Sequence, residues 1–77
     1  MISERLKAVI LRELRLEAFE LKDTTLARDV PGWDSLSHAS VLAAVEKEFG
    51  ITFRSLEVLR LKNLGDLQAL VDRKLGY

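Results

Sequence analysis

The 77-residue chain sets twelve Lys and Arg against twelve Asp and Glu, holds one His and no Cys, and is 48% hydrophobic and 31% charged. This length supports one domain, expected over residues 1–77, with enough apolar side chain for a packed core and too much for a disordered chain. Zero net charge argues against nucleic acid or an anionic membrane as a partner through bulk electrostatics, and without cysteine there is no disulfide, protein thiol or thiolate metal site.

Taken in chain order, the periodicity predicts a first helix over about Ile2 to Phe19. At 100° per residue, Ile2, Leu6, Val9, Ile10, Leu14 and Leu16 form one stripe, Ser3 caps the start, and Leu11 falls opposite and fits poorly. From Glu20 to Asp34 the periodicity fails, and the only proline, Pro31, precedes Gly32. A loop this long in so small a domain needs anchors, and Leu21, Leu26, Val30 and Trp33 are the candidates.

A second helix is expected over Ser35 to Phe49, capped by Asp34 and stopped by Gly50. His38, Val41, Leu42, Val45 and Phe49 share its inward face. Leu36, Ser37, Ser40, Ala43, Ala44 and Lys47 lie opposite, a small and almost uncharged surface suited to docking. Ile51-Thr52-Phe53 reads as extended, and a brief helix follows over Ser55 to Leu61, capped by Ser55. A last helix spans about Leu64 to Leu75, capped by Asn63 and closed by Gly76. The fold class is therefore all-α, a small bundle of three longer helices and one short one.

No apolar run is long enough to span a bilayer, and charges from Glu4 onward break the stretch a secretory signal needs. A soluble, cytoplasmic monomer is the expectation. The zero net charge is uneven: residues 23–50 carry two basic and five acidic side chains between two flanks of basic excess.

The candidate site is Gly32-Trp33-Asp34-Ser35-Leu36. A serine at the first helical position sits beside unpaired backbone N–H groups at the positive end of the helix dipole, a favourable place for a phosphate. The same residues also read as a plain capping pair, since Asp-Ser is common at helix starts. His38, one turn after Ser35, raises a Ser-His hydrolase, but no third triad member, oxyanion hole or nucleophile elbow accompanies it. With one His and no Cys, no metal site is expected. Arg54, Arg60 and Lys62 read as a solvated face around the short helix, and no helix carries a face able to read DNA.

Asp34-Ser35-Leu36, after a long loop and before a helix ending Glu46-Lys47-Glu48-Phe49-Gly50-Ile51, resembles an acyl carrier protein, and the likeness continues through Asn63-Leu64-Gly65-Asp66-Leu67. The resemblance implies that a phosphopantetheinyl transferase attaches 4'-phosphopantetheine from coenzyme A to Ser35, and that the arm's thiol carries acyl groups to loading and transferring enzymes. It implies that Asp34 helps the transferase engage, that Leu36 meets partner enzymes, and that the protein itself is not an enzyme. His38 would lie near the arm or its cargo; Ser37, Ser40, Ala43, Ala44 and Lys47 would face partners. Typical bacterial fatty-acid carriers present carboxylates on the second helix, which here are diluted. The run Trp33-Asp34-Ser35-Leu36 with His38 looks more like a discrete carrier of a specialised pathway, such as polyketide, nonribosomal peptide or surface-saccharide modification. The alternatives are a non-catalytic helical adaptor and a peptidyl or aminoacyl carrier.

Overall fold

The computed structural model describes residues 1–76; Tyr77, the last residue of the expected domain, lies outside them. Among the described residues there are four α-helices, α1 (Glu4–Glu13), α2 (Ser35–Phe49), α3 (Ser55–Leu59) and α4 (Leu64–Leu75), with a 3-10 turn over Ala27–Asp29 and no strand. The all-α reading holds. The ends of α2 and α4 fall at the expected residues, because each has a side-chain cap at its start and a left-handed glycine, Gly50 or Gly76, at its close.

α1 is shorter than the sequence suggests, ending at Glu13 rather than near Phe19. The cause is a closing motif without the glycine that usually marks one. Arg15 adopts φ 58°, its N–H donates to the Arg12 carbonyl (3.2 Å), and the Leu16 N–H reaches back to Leu11 (2.9 Å). This double closure satisfies two end carbonyls and brings Leu11 and Leu16 to the same end of the helix, where both pack against the core. Leu11, the misfit of the helical wheel, is therefore half-buried beside Leu14 and Leu16. α3 is likewise shorter than expected, and Ser55 is its first residue rather than its cap. Its entry is fixed by the Glu57 carboxylate accepting the Arg54 N–H at 2.8 Å.

The core is one apolar seam. Leu6, Val9 and Ile10 of α1 pack with Val41 and Val45 of α2 and with Leu67 and Val71 of α4, all essentially without solvent exposure. α1 and α2 are further stapled at the surface. Arg5 donates to both the Glu48 carboxylate and the Glu48 carbonyl, each at 2.8 Å, and its guanidinium lies 4.6 Å from the centre of the Phe49 ring. α3 is tied to α4 by Lys74–Glu57 at 2.8 Å, and to α2 through the Phe53 N–H on the Glu46 carboxylate.

The long loop is held by its anchors and by the start of α4. Leu21, Val30 and Trp33 are buried as expected and Leu26 is half-buried. The Leu64 and Gly65 N–H groups, which a helix leaves unpaired, donate to the loop carbonyls of Thr25 (2.9 Å) and Asp23 (2.8 Å). A Cβ on Gly65 would lie 3.0 Å from the Asp23 carbonyl oxygen, so only glycine allows this approach without the loop shifting. The Asp23 carboxylate in turn accepts the Ile2 N–H (2.9 Å), and the buried Gln68 accepts that of Ser3 (2.8 Å).

Three substitutions test this account by urea denaturation. Leu6→Ala, at a side chain with no exposure, is expected to lose about 2–5 kcal/mol, lowering the midpoint at unchanged slope. Gly65→Ala is expected to destabilise, because the added Cβ meets the Asp23 carbonyl oxygen at 3.0 Å and the loop backbone must give way slightly. Arg15→Gly is expected to stabilise by roughly 1 kcal/mol, since it relieves a left-handed conformation that L-residues disfavour; a loss of stability would refute the closing motif.

Candidate functional site

The chain turns from loop into α2 through a closed set of hydrogen bonds. Asp34 is extended, and its carboxylate accepts the N–H groups of Leu36 (3.0 Å) and Ser37 (2.9 Å). The Ser37 hydroxyl accepts the Asp34 N–H (2.8 Å) and donates to the Gly32 carbonyl (2.6 Å). This reciprocal cap fixes both the first turn of the helix and the glycine two residues before the cap. Hydrogen bonds from Ser37, its backbone N–H first and its hydroxyl next, hold the Asp34 carboxyl below the usual carboxylate range.

Between these two engaged residues, Ser35 stands exposed at the first helical position, and its hydroxyl enters none of these bonds. Leu36 beside it is 86% exposed. Among the described residues, none hydrogen-bonds to the Ser35 hydroxyl. The helix start is less open to an anion than the sequence suggests, because the Leu36 and Ser37 N–H groups are already taken by Asp34. Only the donor side of Ser35 itself is left, and a phosphate there would sit beside a carboxylate.

The remaining expected residues separate into two groups. Leu36, Ser40, Ala43 and Lys47 are exposed along α2, as the helical wheel requires for a partner face. Ser37 and Ala44 are not free surface. Ser37 is half-buried with its hydroxyl committed to the cap, and Ala44 is half-buried against the core where α1 crosses. His38 is half-buried on the inward side. Its Nδ1 accepts a hydrogen bond from the Trp33 indole Nε1–H at 3.0 Å, and the ring centres are 6.1 Å apart.

Sequence reasoning missed two features of this end of the bundle. Leu56 and Leu59 of α3 are 70% and 79% exposed, and Leu59 borders a cleft of about 380 Å³ between α2 and α3, walled also by Ala39, Ala43, Phe53 and Val58. The signal was the spacing of Leu56 and Leu59 by three residues, which puts both on one helix face opposite Val58. The second is Arg73 of α4, which joins Arg54, Arg60 and Lys62 around a shared surface groove. No helix is long and apolar enough to cross a membrane, and among the described residues no cluster of His, Asp and Glu could hold a metal ion.

The family described as "Phosphopantetheine attachment site" matches residues 4–71. The chain is 31% identical over 67 residues to the acyl carrier protein of Clostridium acetobutylicum, covering 87% of each, and 25% identical over 75 residues to that of Solidesulfovibrio magneticus, covering 97% of this chain and 96% of the relative. Its fold matches the solution structure of a holo acyl carrier protein from Geobacter metallireducens with a TM-score of 0.83 and 36% identity, covering 95% of this chain and 87% of that one.

Two measurements probe the cap. Ser37→Ala removes two hydrogen bonds, and at about 1 kcal/mol net it should lower the melting temperature by roughly 4–8 °C. Acid should act on the same carboxylate. Asp34, Asp23, Glu48 and Glu57 are all held below their ordinary values, by Ser37, the N-terminal amine, Arg5 and Lys74 respectively. Groups depressed in the folded state bind more protons unfolded, so their contribution is complete above about pH 4–5 and drains as pH falls further. Melting temperature should be level above pH 5 and fall below pH 4. Asp34→Asn, which keeps a capping acceptor, should fall less steeply.

Proposed function

The chain belongs to the acyl carrier protein family, marked by its phosphopantetheine attachment site, and on that premise we propose that Ser35 is the residue that carries the arm. The cofactor of the family is covalent 4'-phosphopantetheine, and its role is to supply a thiol, which this cysteine-free chain lacks, for holding acyl groups as thioesters. The single observation that supports Ser35 is its hydroxyl: exposed, unengaged, and set between Asp34 and Ser37, whose side chains hydrogen-bond to hold the turn. A transferase reaching this oxygen meets no side chain that must first move away.

The chain's own residues supply position rather than catalysis. Asp34 and Ser37 lock the first turn of α2 so that Ser35 is presented in one orientation. The Asp34 carboxyl, which accepts both N–H groups on one oxygen and is held below the usual carboxylate range, is a poor base, so removal of the Ser35 proton falls to the modifying enzyme. Leu36 offers an apolar contact to the phosphopantetheinyl transferase and to enzymes that load and transfer acyl groups.

We assign the protein to a specialised pathway rather than general fatty-acid synthesis, working in the cytoplasm. The exposed positions after Leu36 on α2 are Ala39, Ser40, Ala43 and Lys47, with no carboxylate among them, and Glu46 and Glu48 are each engaged by a neighbour. Long-range attraction to basic partners is then weak, and shape and apolar contact decide specificity.

Incubation with coenzyme A and a promiscuous phosphopantetheinyl transferase, followed by intact-mass spectrometry, tests the assignment. One phosphopantetheine per chain is expected, lost in Ser35→Ala. An unmodified wild type beside a modified control carrier would refute it.

A further inference from the structure

Trp33 and His38 form the one pairing of aromatic side chains at the site, and the cap chemistry leaves it without a purpose. A simple loop anchor needs only the buried indole. Here the indole N–H is spent on His38 Nδ1, which constrains the imidazole chemically. A nitrogen that accepts this hydrogen bond carries no proton, which leaves Nε2 as the donor of the ring. No buried side-chain nitrogen or oxygen among the described residues lacks a hydrogen-bond partner. The Nε2–H, which has no hydrogen-bond partner among the described residues, is therefore not fully buried.

Its location gives the donor a target. His38 follows Ser35 by three residues on a regular helix, which places the two Cβ atoms about 5–6 Å apart on neighbouring turns. The half-buried imidazole also lines a small cleft of about 40 Å³ together with Trp33, Leu42, Leu61 and Lys62. Asp34 has meanwhile removed two of the backbone donors that ordinarily receive an anion at a helix start.

We propose that Trp33 and His38 together form a binding element for the phosphodiester of the group on Ser35. Trp33 is the positioning residue: it fixes the tautomer and the ring plane. His38 is the binding residue: its Nε2–H donates to a phosphate oxygen and replaces the backbone donors that Asp34 occupies. The element acts through a hydrogen bond; it makes no covalent bond and moves no proton. This inference rests on the assignment of the arm to Ser35.

The test uses the wild type and the variants His38→Ala, His38→Gln and Trp33→Phe, loaded and checked by intact mass. Long-range proton–nitrogen NMR of the unloaded protein should show Nδ1 unprotonated and Nε2 protonated, and Trp33→Phe should mix the two tautomers. On loading, the Nε2 resonance should move. The phosphorus resonance of His38→Ala should be displaced from that of the wild type, while His38→Gln, which keeps a side-chain donor, should stay nearer to it. Because circular dichroism checks the fold and His38→Gln preserves bulk, a folding defect in His38→Ala does not decide the outcome. A phosphorus resonance identical in wild type and both His38 variants, or a proton on Nδ1 in the unloaded wild type, overturns the proposal. A wild type that gains no mass, or a Ser35→Ala that does, overturns the Ser35 assignment instead, and the tautomer measurement still reports on the pair.

Discussion

The constraint on which this fold depends is the disposal of backbone polar groups along the loop between α1 and α2. A loop of this length in a domain of this size would leave many N–H and C=O groups unpaired if it were buried, or would be mobile if it were not. The chain meets the constraint by joining two deficits. The start of α4 lacks acceptors for its first N–H groups, and the loop lacks donors for its carbonyls. Thr25 and Asp23 meet Leu64 and Gly65, and both needs are satisfied at once. With Leu21, Val30 and Trp33 buried on either side of this junction, the far end of the loop is delivered to the start of α2 in one position.

That delivery is what gives the site its character. Gly32, Asp34 and Ser37 close a small ring of hydrogen bonds that depends on the loop arriving at a fixed angle, and Ser35 gains an exposed hydroxyl on a rigid turn. Rigidity here costs the site part of its affinity for anions. The carboxylate that pins the turn takes the N–H groups a phosphate would otherwise receive. Asp34 and Ser37 thus hold the turn, and the Leu36 and Ser37 N–H groups are engaged within it.

The partner face follows the same logic of commitment. Residues that look alike on a helical wheel differ by what they touch. Ser37 and Ser40 are one turn apart and both small and polar, yet the first is bound to Gly32 and the second is open to solvent. Ala43 and Ala44 are neighbours, and only the second packs where α1 crosses. The exposed face of α2 is therefore narrower than periodicity suggests, and exposed leucines stand on α3 as well.

The amino-acid sequence by itself determined the helix ends that carry side-chain caps and closing glycines. The bounds of α2 and α4 follow from Asp34, Gly50, Asn63 and Gly76, since caps act through local hydrogen bonds. The apolar seam follows from spacing. Tertiary structure decided what depends on residues far apart or on conformations the residue type disfavours. Arg15 ends α1 in a left-handed conformation that packing with Leu11 and Leu16 sustains, and no arginine signals this in advance. Gly65 reads as a poor helix residue until Asp23 is seen against it. The Trp33–His38 bond joins a loop residue to a helix residue at a separation where neither periodicity nor capping rules apply, so only the folded path of the loop could bring the indole to the imidazole.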